Sequence, residues 1–126
     1  MSAAVVNEKL EGSKIANVTL WIVQVAVAAM FLMAGGSKLS GDPMMVGVFE
    51  KIGIGQWFRY LTATIEVGGA IALLVPSLAP YGALAIVVTM VGAVYTNLFV
   101  VVSSPVPALV LGAGAAAIAW ARRDQF

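Results

Sequence analysis

The sequence predicts an all-α integral membrane protein: an antiparallel four-helix transmembrane bundle with a short amphipathic interfacial helix between spans 1 and 2. Three observations predict it. Of 126 residues, 61% are hydrophobic and 10% charged, with a mean hydropathy of +0.99, whereas a soluble domain carries about a quarter charged residues. The charges cluster at the two termini and between Lys38 and Glu66, leaving Val67 to Ala121 without an Asp, Glu, Lys or Arg. Two short proline-bearing turns, Pro76-Ser77-Leu78-Ala79-Pro80 and Ser103-Ser104-Pro105-Val106-Pro107, divide the apolar half.

Residues 1–14 read as a polar N-terminal tail, a frayed end or a short interfacial turn, with Glu8, Lys9, Glu11 and Lys14 balanced in sign. The membrane domain covers 15–121. Its apolar start, from Ile15 to Leu39, exceeds the h-region of a signal peptide, so a retained first span is expected over about 18–39. Thr19 and Gln24 are its strongly polar side chains before the Gly35-Gly36-Ser37-Lys38 close.

Residues 43–52 predict the interfacial helix. Asp42 suits the N-cap, Pro43 the first helical position and Gly53 a left-handed C-terminal stop. Met44, Met45, Val48, Phe49 and Ile52 share one face, and Gly47, Glu50 and Lys51 the other. Such a helix anchors at a membrane surface or serves as a lid over a cavity.

Trp57, Phe58 and Tyr60 open the second span, 57–76, as an interfacial aromatic cluster beside Arg59. The third span is expected at 81–102 and the Ala- and Gly-rich fourth at 107–121, followed by the tail 122–126 that begins Arg122-Arg123. Gly35, Gly36, Gly68, Gly69 and Gly92 are the positions proposed for close helix packing. The run Gly112 to Ala117 permits the same, within the bundle or to a second copy of the chain. Four spans place both termini on one side; Lys9, Lys14, Arg122 and Arg123 stand there against Lys38, Lys51 and Arg59 opposite, a bias toward cytoplasmic ends.

Glu66 is the residue to explain, because it falls near the middle of the second span. An acid at the centre of a spanning helix costs about 2.5–3.5 kcal/mol to insert and usually faces the bundle interior or a partner. Arg59 shares its face, but helical side chains lean toward the N-terminus, so Arg59 leans away. Lys38 comes from the antiparallel first span and leans toward Glu66 across an axial gap of about 10–15 Å, which calls for a bridging water or hydroxyl. With Lys38 in reach, both groups can keep their charge. Counted from Leu78 as the turn, Glu66 is level with Met90, and Arg59 with Asn97. The expected polar and ligand-binding cluster is therefore Glu66, Lys38, Arg59, Tyr95 and Asn97, with Thr62 in the row beside the acid.

The absence of cysteine and histidine excludes disulfides, thiolate-held iron–sulfur clusters and histidine-ligated metal or haem within this chain, and no metal site is expected. A net charge of +1 gives no basic footprint for nucleic acid.

The segments FLMAGGSKL (31–39), EKIGIGQWFRYLTATIEVGGAIALLVP (50–76) and MVGAVYTNLF (90–99) resemble the DoxX and DoxX-like family of small four-span bacterial membrane proteins. The resemblance carries the family's marked positions onto Gly35, Lys38, Gly53, Glu66, Gly69 and Pro76. It implies a multi-pass protein of the bacterial cytoplasmic membrane. Asn97 is a departure: many relatives carry histidine there, so a proton relay or metal role resting on that residue does not transfer. The family is linked with thiosulfate:quinone oxidoreductase complexes, oxidative-stress assemblies and chaperoning of membrane proteins. The resulting expectation is an accessory subunit, without catalytic activity of its own, that holds a small lipophilic molecule such as a quinone beside the Glu66–Lys38 cluster and associates with a redox or stress-response partner. A proton-coupled transporter using Glu66 and a purely structural membrane subunit are the alternatives.

Overall fold

The computed structural model describes residues 3–101 and 103–126, with the side chains of 4–12 outside the description. Met1 and Ser2 of the expected tail, and Val102 at the expected end of the third span, lie outside the described residues. Among the described residues five α-helices follow in order: α1 (Ala3–Ser40), α2 (Pro43–Ile52), α3 (Trp57–Leu73), α4 (Ala79–Tyr95) and α5 (Val106–Ala121). A π-helical turn, Thr96–Val100, prolongs α4, and a 3-10 turn, Arg123–Gln125, follows α5. No strand occurs among the described residues.

Two of these helices, at Ser13–Ser40 and Ala79–Val100, are long and apolar enough to cross a membrane, and Val106–Ala121 is a shorter apolar helix. The first corrects the expected tail: helix runs back to Ala3, through the segment read as frayed or as a turn. Ala, Val, Glu, Lys and Leu there are compatible with helix, and extending an existing helix avoids the cost of nucleation. Gly12, at about 1 kcal/mol, does not stop it.

The four long helices form a ring. α1 lies against α3, α3 against α4, α4 against α5, and α5 returns to α1 along the sparsest seam. The core is built from one stripe of each: Val27, Ala28 and Phe31 of α1, Ala70 and Leu73 of α3, Ala83, Ile86 and Met90 of α4, and Ala115 and Ile118 of α5. Each stripe includes an alanine, and glycines join where the backbones come close. A Cβ built on Gly35 would stand 2.5 Å from Val67 Cγ2 and 3.2 Å from the Ala63 carbonyl oxygen, and one on Gly82 would stand 2.6 Å from the Gly69 carbonyl oxygen. Outward faces carry Ile22, Met33, Val88, Val91 and Val110, all exposed.

α2 forms as its sequence dictates. The Asp42 carboxylate accepts from the Met44 amide at 2.9 Å, Pro43 occupies the first turn, and Gly53 closes the helix with φ +85°. Replacing Asp42 with Ala removes this cap, and scanning fluorimetry in detergent should record a loss of about 1 kcal/mol. Phe49 is buried while Glu50 and Lys51 are exposed, so the helix lies across one end of the ring, against α1, α3 and the π-helical turn.

Candidate functional site

The buried stripe of α3 is Arg59, Ala63, Glu66, Gly69, Ala70 and Leu73, a row of i+3 and i+4 steps that places both charged groups inward. Lys38, in the last turn of α1, reaches Glu66 directly: Nζ lies 3.0 Å from Oε1 and donates to Oε2 at 3.2 Å. The side chains are 14% and 2% exposed. No bridging group is needed, which corrects the expected gap. Gly35 seats against Ala63 and Val67, so the α1–α3 register brings Lys38 less than two turns from the acid.

Arg59 is buried but takes no part in that ion pair. Its Nη1 donates to the Lys38 carbonyl, and its Nε donates to Gln56 Oε1 at 2.8 Å. Gln56 Nε2 in turn donates to the Val46 carbonyl at 3.1 Å. The Lys38 carbonyl belongs to the last turn of α1, where carbonyls lack helical partners, and a cation there also complements the helix dipole. A continuous polar chain therefore runs from α2 through Gln56, Arg59 and Lys38 to Glu66, tying three helices at one end of the ring.

The remaining expected members stand elsewhere. Tyr95 is 61% exposed and packs against Phe99 with ring centroids 5.2 Å apart. The inward stripe of α4 runs through Ile86 and Met90, and at about 100° per residue position 95 turns well away from it. Asn97 is half-buried, but its polar groups close the following turn: its carbonyl accepts from the Ser103 amide at 2.7 Å and its Oδ1 from the Ser103 hydroxyl at 3.2 Å. The Thr62 hydroxyl donates back to the Phe58 carbonyl at 2.9 Å, within its own helix. Among the packing glycines, Gly35 and Gly69 lie at helix contacts. Gly36, Gly68 and Gly92 instead have open space where a Cβ would stand. Gly36 and Gly68 are each one residue, about 100°, out of phase with the glycine that packs.

A second polar cluster occupies the opposite end of the ring. Gln24, fully buried, donates Nε2 to the Leu73 carbonyl at 2.8 Å, and its Oε1 accepts from Arg122 Nε at 3.0 Å and Nη2 at 2.9 Å. Arg122 Nη1 also donates to Asn17 Oδ1 at 3.2 Å. The cluster closes the sparse α1–α5 seam and satisfies the carbonyl of the last residue of α3. The sequence marks Gln24 as a lone polar group in an apolar run and Arg122 as the first charge after the last helix, and an even number of long helices brings the two to one end.

Open apolar depressions include one of about 550 Å³ on the outer face of α1 and one of about 390 Å³ between α4 and α5, the latter lined by Val87, Met90, Ala108 and Gly112 among others. Neither is lined by Glu66 or Lys38. No curated protein and no solved structure matches this sequence. The model of the DoxX-like family matches residues 22–122, from the middle of α1 to the end of α5, including both clusters' buried members. The chain belongs to the DoxX-like family.

Proposed function

We propose that this protein is a four-span subunit of the bacterial cytoplasmic membrane, with both termini on the cytoplasmic side, and that it acts through association with a redox or stress-response partner and not through catalysis of its own. The Lys38–Glu66 pair, extended through Arg59 and Gln56 to Val46, is its internal clasp, holding α1, α2 and α3 in one arrangement so that a constant surface meets that partner. The observation that carries this reading is the orientation of the molecule's polarity. The long helices present Ile22, Met33, Val88 and Val110 outward, while the acid in the middle of α3 is turned inward and paired. That pattern suits a hydrocarbon solvent, which leaves no drive to bury aliphatic side chains and penalises an outward charge.

The chain has no cysteine, which makes the topology testable by single introduced thiols. In intact spheroplasts, a membrane-impermeant maleimide should label Glu50→Cys and should reach Asp124→Cys only after permeabilisation. Labelling of both from outside would sink the four-span arrangement.

One observation favours a second reading, in which a small lipophilic carbonyl compound such as a quinone docks beside the pair. An ammonium has three N–H groups. Glu66 engages Lys38 through its two oxygens, and Lys38 keeps 14% of its side chain exposed, so a donor remains for a ligand carbonyl. Organic extracts of purified wild-type protein should then contain an isoprenoid quinone that Lys38→Met protein lacks, with both proteins monodisperse. Equal recovery from both, or none, leaves the clasp alone.

A further inference from the structure

The shallow, open depression on the outer face of α1 is lined by Val18, Trp21, Ile22, Val25 and Ala26, all on one helix face and almost wholly apolar. Two basic side chains stand near it among the described residues. Lys14, exposed, lies one turn before Val18 on the same stripe, since positions 14, 18, 21 and 25 fall within a narrow arc at 100° per residue. The guanidinium of Arg122 stands 5.5 Å from the Trp21 ring centroid, at the edge of the depression. Arg122 is half-buried, and its described hydrogen bonds go to the neutral oxygens of Gln24 and Asn17. Those bonds use three of the five N–H groups of a guanidinium and bring it no negative charge. Among the described residues the one ion pair is Lys38–Glu66, at the other end of the ring.

We propose that this face binds an anionic phospholipid, with an acyl chain along Val18, Trp21 and Val25 and the phosphate meeting Arg122 and Lys14. The inference rests on the membrane reading above and adds a ligand to it. An acyl chain fits an open apolar groove running along a helix. Basic side chains at the end of such a groove select a negative headgroup over a zwitterionic one, by about fivefold for each basic residue near the surface. The buried Gln24 fixes the guanidinium beside the groove, so the cation is presented without an ordering cost at binding.

The test is native mass spectrometry of the detergent-purified protein given equal concentrations of phosphatidylglycerol and phosphatidylcholine. Wild type should retain phosphatidylglycerol over phosphatidylcholine by about 25-fold, a factor of about five for each of Lys14 and Arg122. Val25→Trp fills the groove and Lys14→Gln removes a cation, while both leave the Gln24–Arg122 bonds in place. Each should bring the ratio toward one with an unchanged melting temperature in lipid-free detergent, and glycerol phosphate should not displace the lipid. Equal retention of the two lipids by wild type, an unchanged ratio in both variants, displacement by glycerol phosphate, or a dimer that Val25→Trp dissociates would each overturn the proposal. The last would assign the groove to a second copy. Failure of the membrane reading is distinguishable, because the protein would then stay in the aqueous phase without detergent.

Discussion

Gly82→Ala should be the most damaging single-methyl change in this protein, lowering stability in detergent by about 2–3 kcal/mol, at the upper end of the cost of overpacking. The added Cβ would stand 2.6 Å from the Gly69 carbonyl oxygen, 2.8 Å from Ala72 Cβ and 2.9 Å from the Leu73 amide nitrogen. Two of these are backbone atoms, so relief requires α3 and α4 to separate, and the Ile86–Leu73 core would loosen with them. The intrinsic helix preference for alanine, about 1 kcal/mol, does not offset this. Gly92→Ala is the matched control. It has open space around its Cβ, so it should be neutral or stabilising by up to about 1 kcal/mol. Thermal unfolding of the two variants in one detergent reads the difference, and a Gly82→Ala midpoint equal to wild type would show that the two helices are not in this contact.

Lys38→Met should cost about 3 kcal/mol and Glu66→Gln about 1 kcal/mol, an asymmetry set by where each partner can go. Glu66 is 2% exposed and fixed on the buried stripe of α3. Deprived of Lys38, its carboxylate stays enclosed without its cation, the situation in which removing one partner of a buried pair is most costly. Lys38 sits in the last turn of α1 with 14% of its side chain exposed. Deprived of the carboxylate, it can extend toward the interface or donate to the glutamine oxygen. Melting temperatures of both variants in detergent, with circular dichroism to confirm helicity, check the order. Should Glu66→Gln instead raise the midpoint above wild type, the acid would be held at a cost to stability, and the clasp would give way to a ligand or transport role.

The fold was legible where local chemistry and periodicity agree. Asp42, Pro43 and Gly53 each demand a particular backbone conformation, and α2 has the bounds they set. Proline turns and apolar length located the long helices, though Ala3–Leu10 joined α1 because a polar segment next to a formed helix lacks any signal that would end it. Within the site, the direction in which helical side chains lean selected Lys38 over Arg59 as the partner of Glu66. Axial distance was overestimated because register is set by glycine contacts, Gly35 on Ala63 and Val67, that depend on the facing helix. The same dependence leaves Gly82 without a signal in the sequence, where the Gly35-Gly36 and Gly68-Gly69 pairs are more conspicuous. Tyr95 was placed by its height along the helix alone, and its rotation about the axis turns it outward. Gln56 carries no signal of its role in the sequence, and only the approach of α2 to α3 makes it the link between Val46 and Arg59.

The ties on α1 restrict how the molecule can move. Gln24 is bonded to the end of α3 and to Arg122, and fourteen residues later Lys38 is bonded to Glu66 and Arg59, a separation of about 21 Å along the axis. A piston stroke of α1 by one helical turn, about 5.4 Å, would break both sets of bonds together and strand Gln24 and Glu66 among hydrocarbon side chains. Sliding of α1 against α3 is therefore barred, and a swing of α4 and α5 about the α1–α3 pair, hinged where the small residues of α3 and α4 meet, has first to part Arg122 from Gln24.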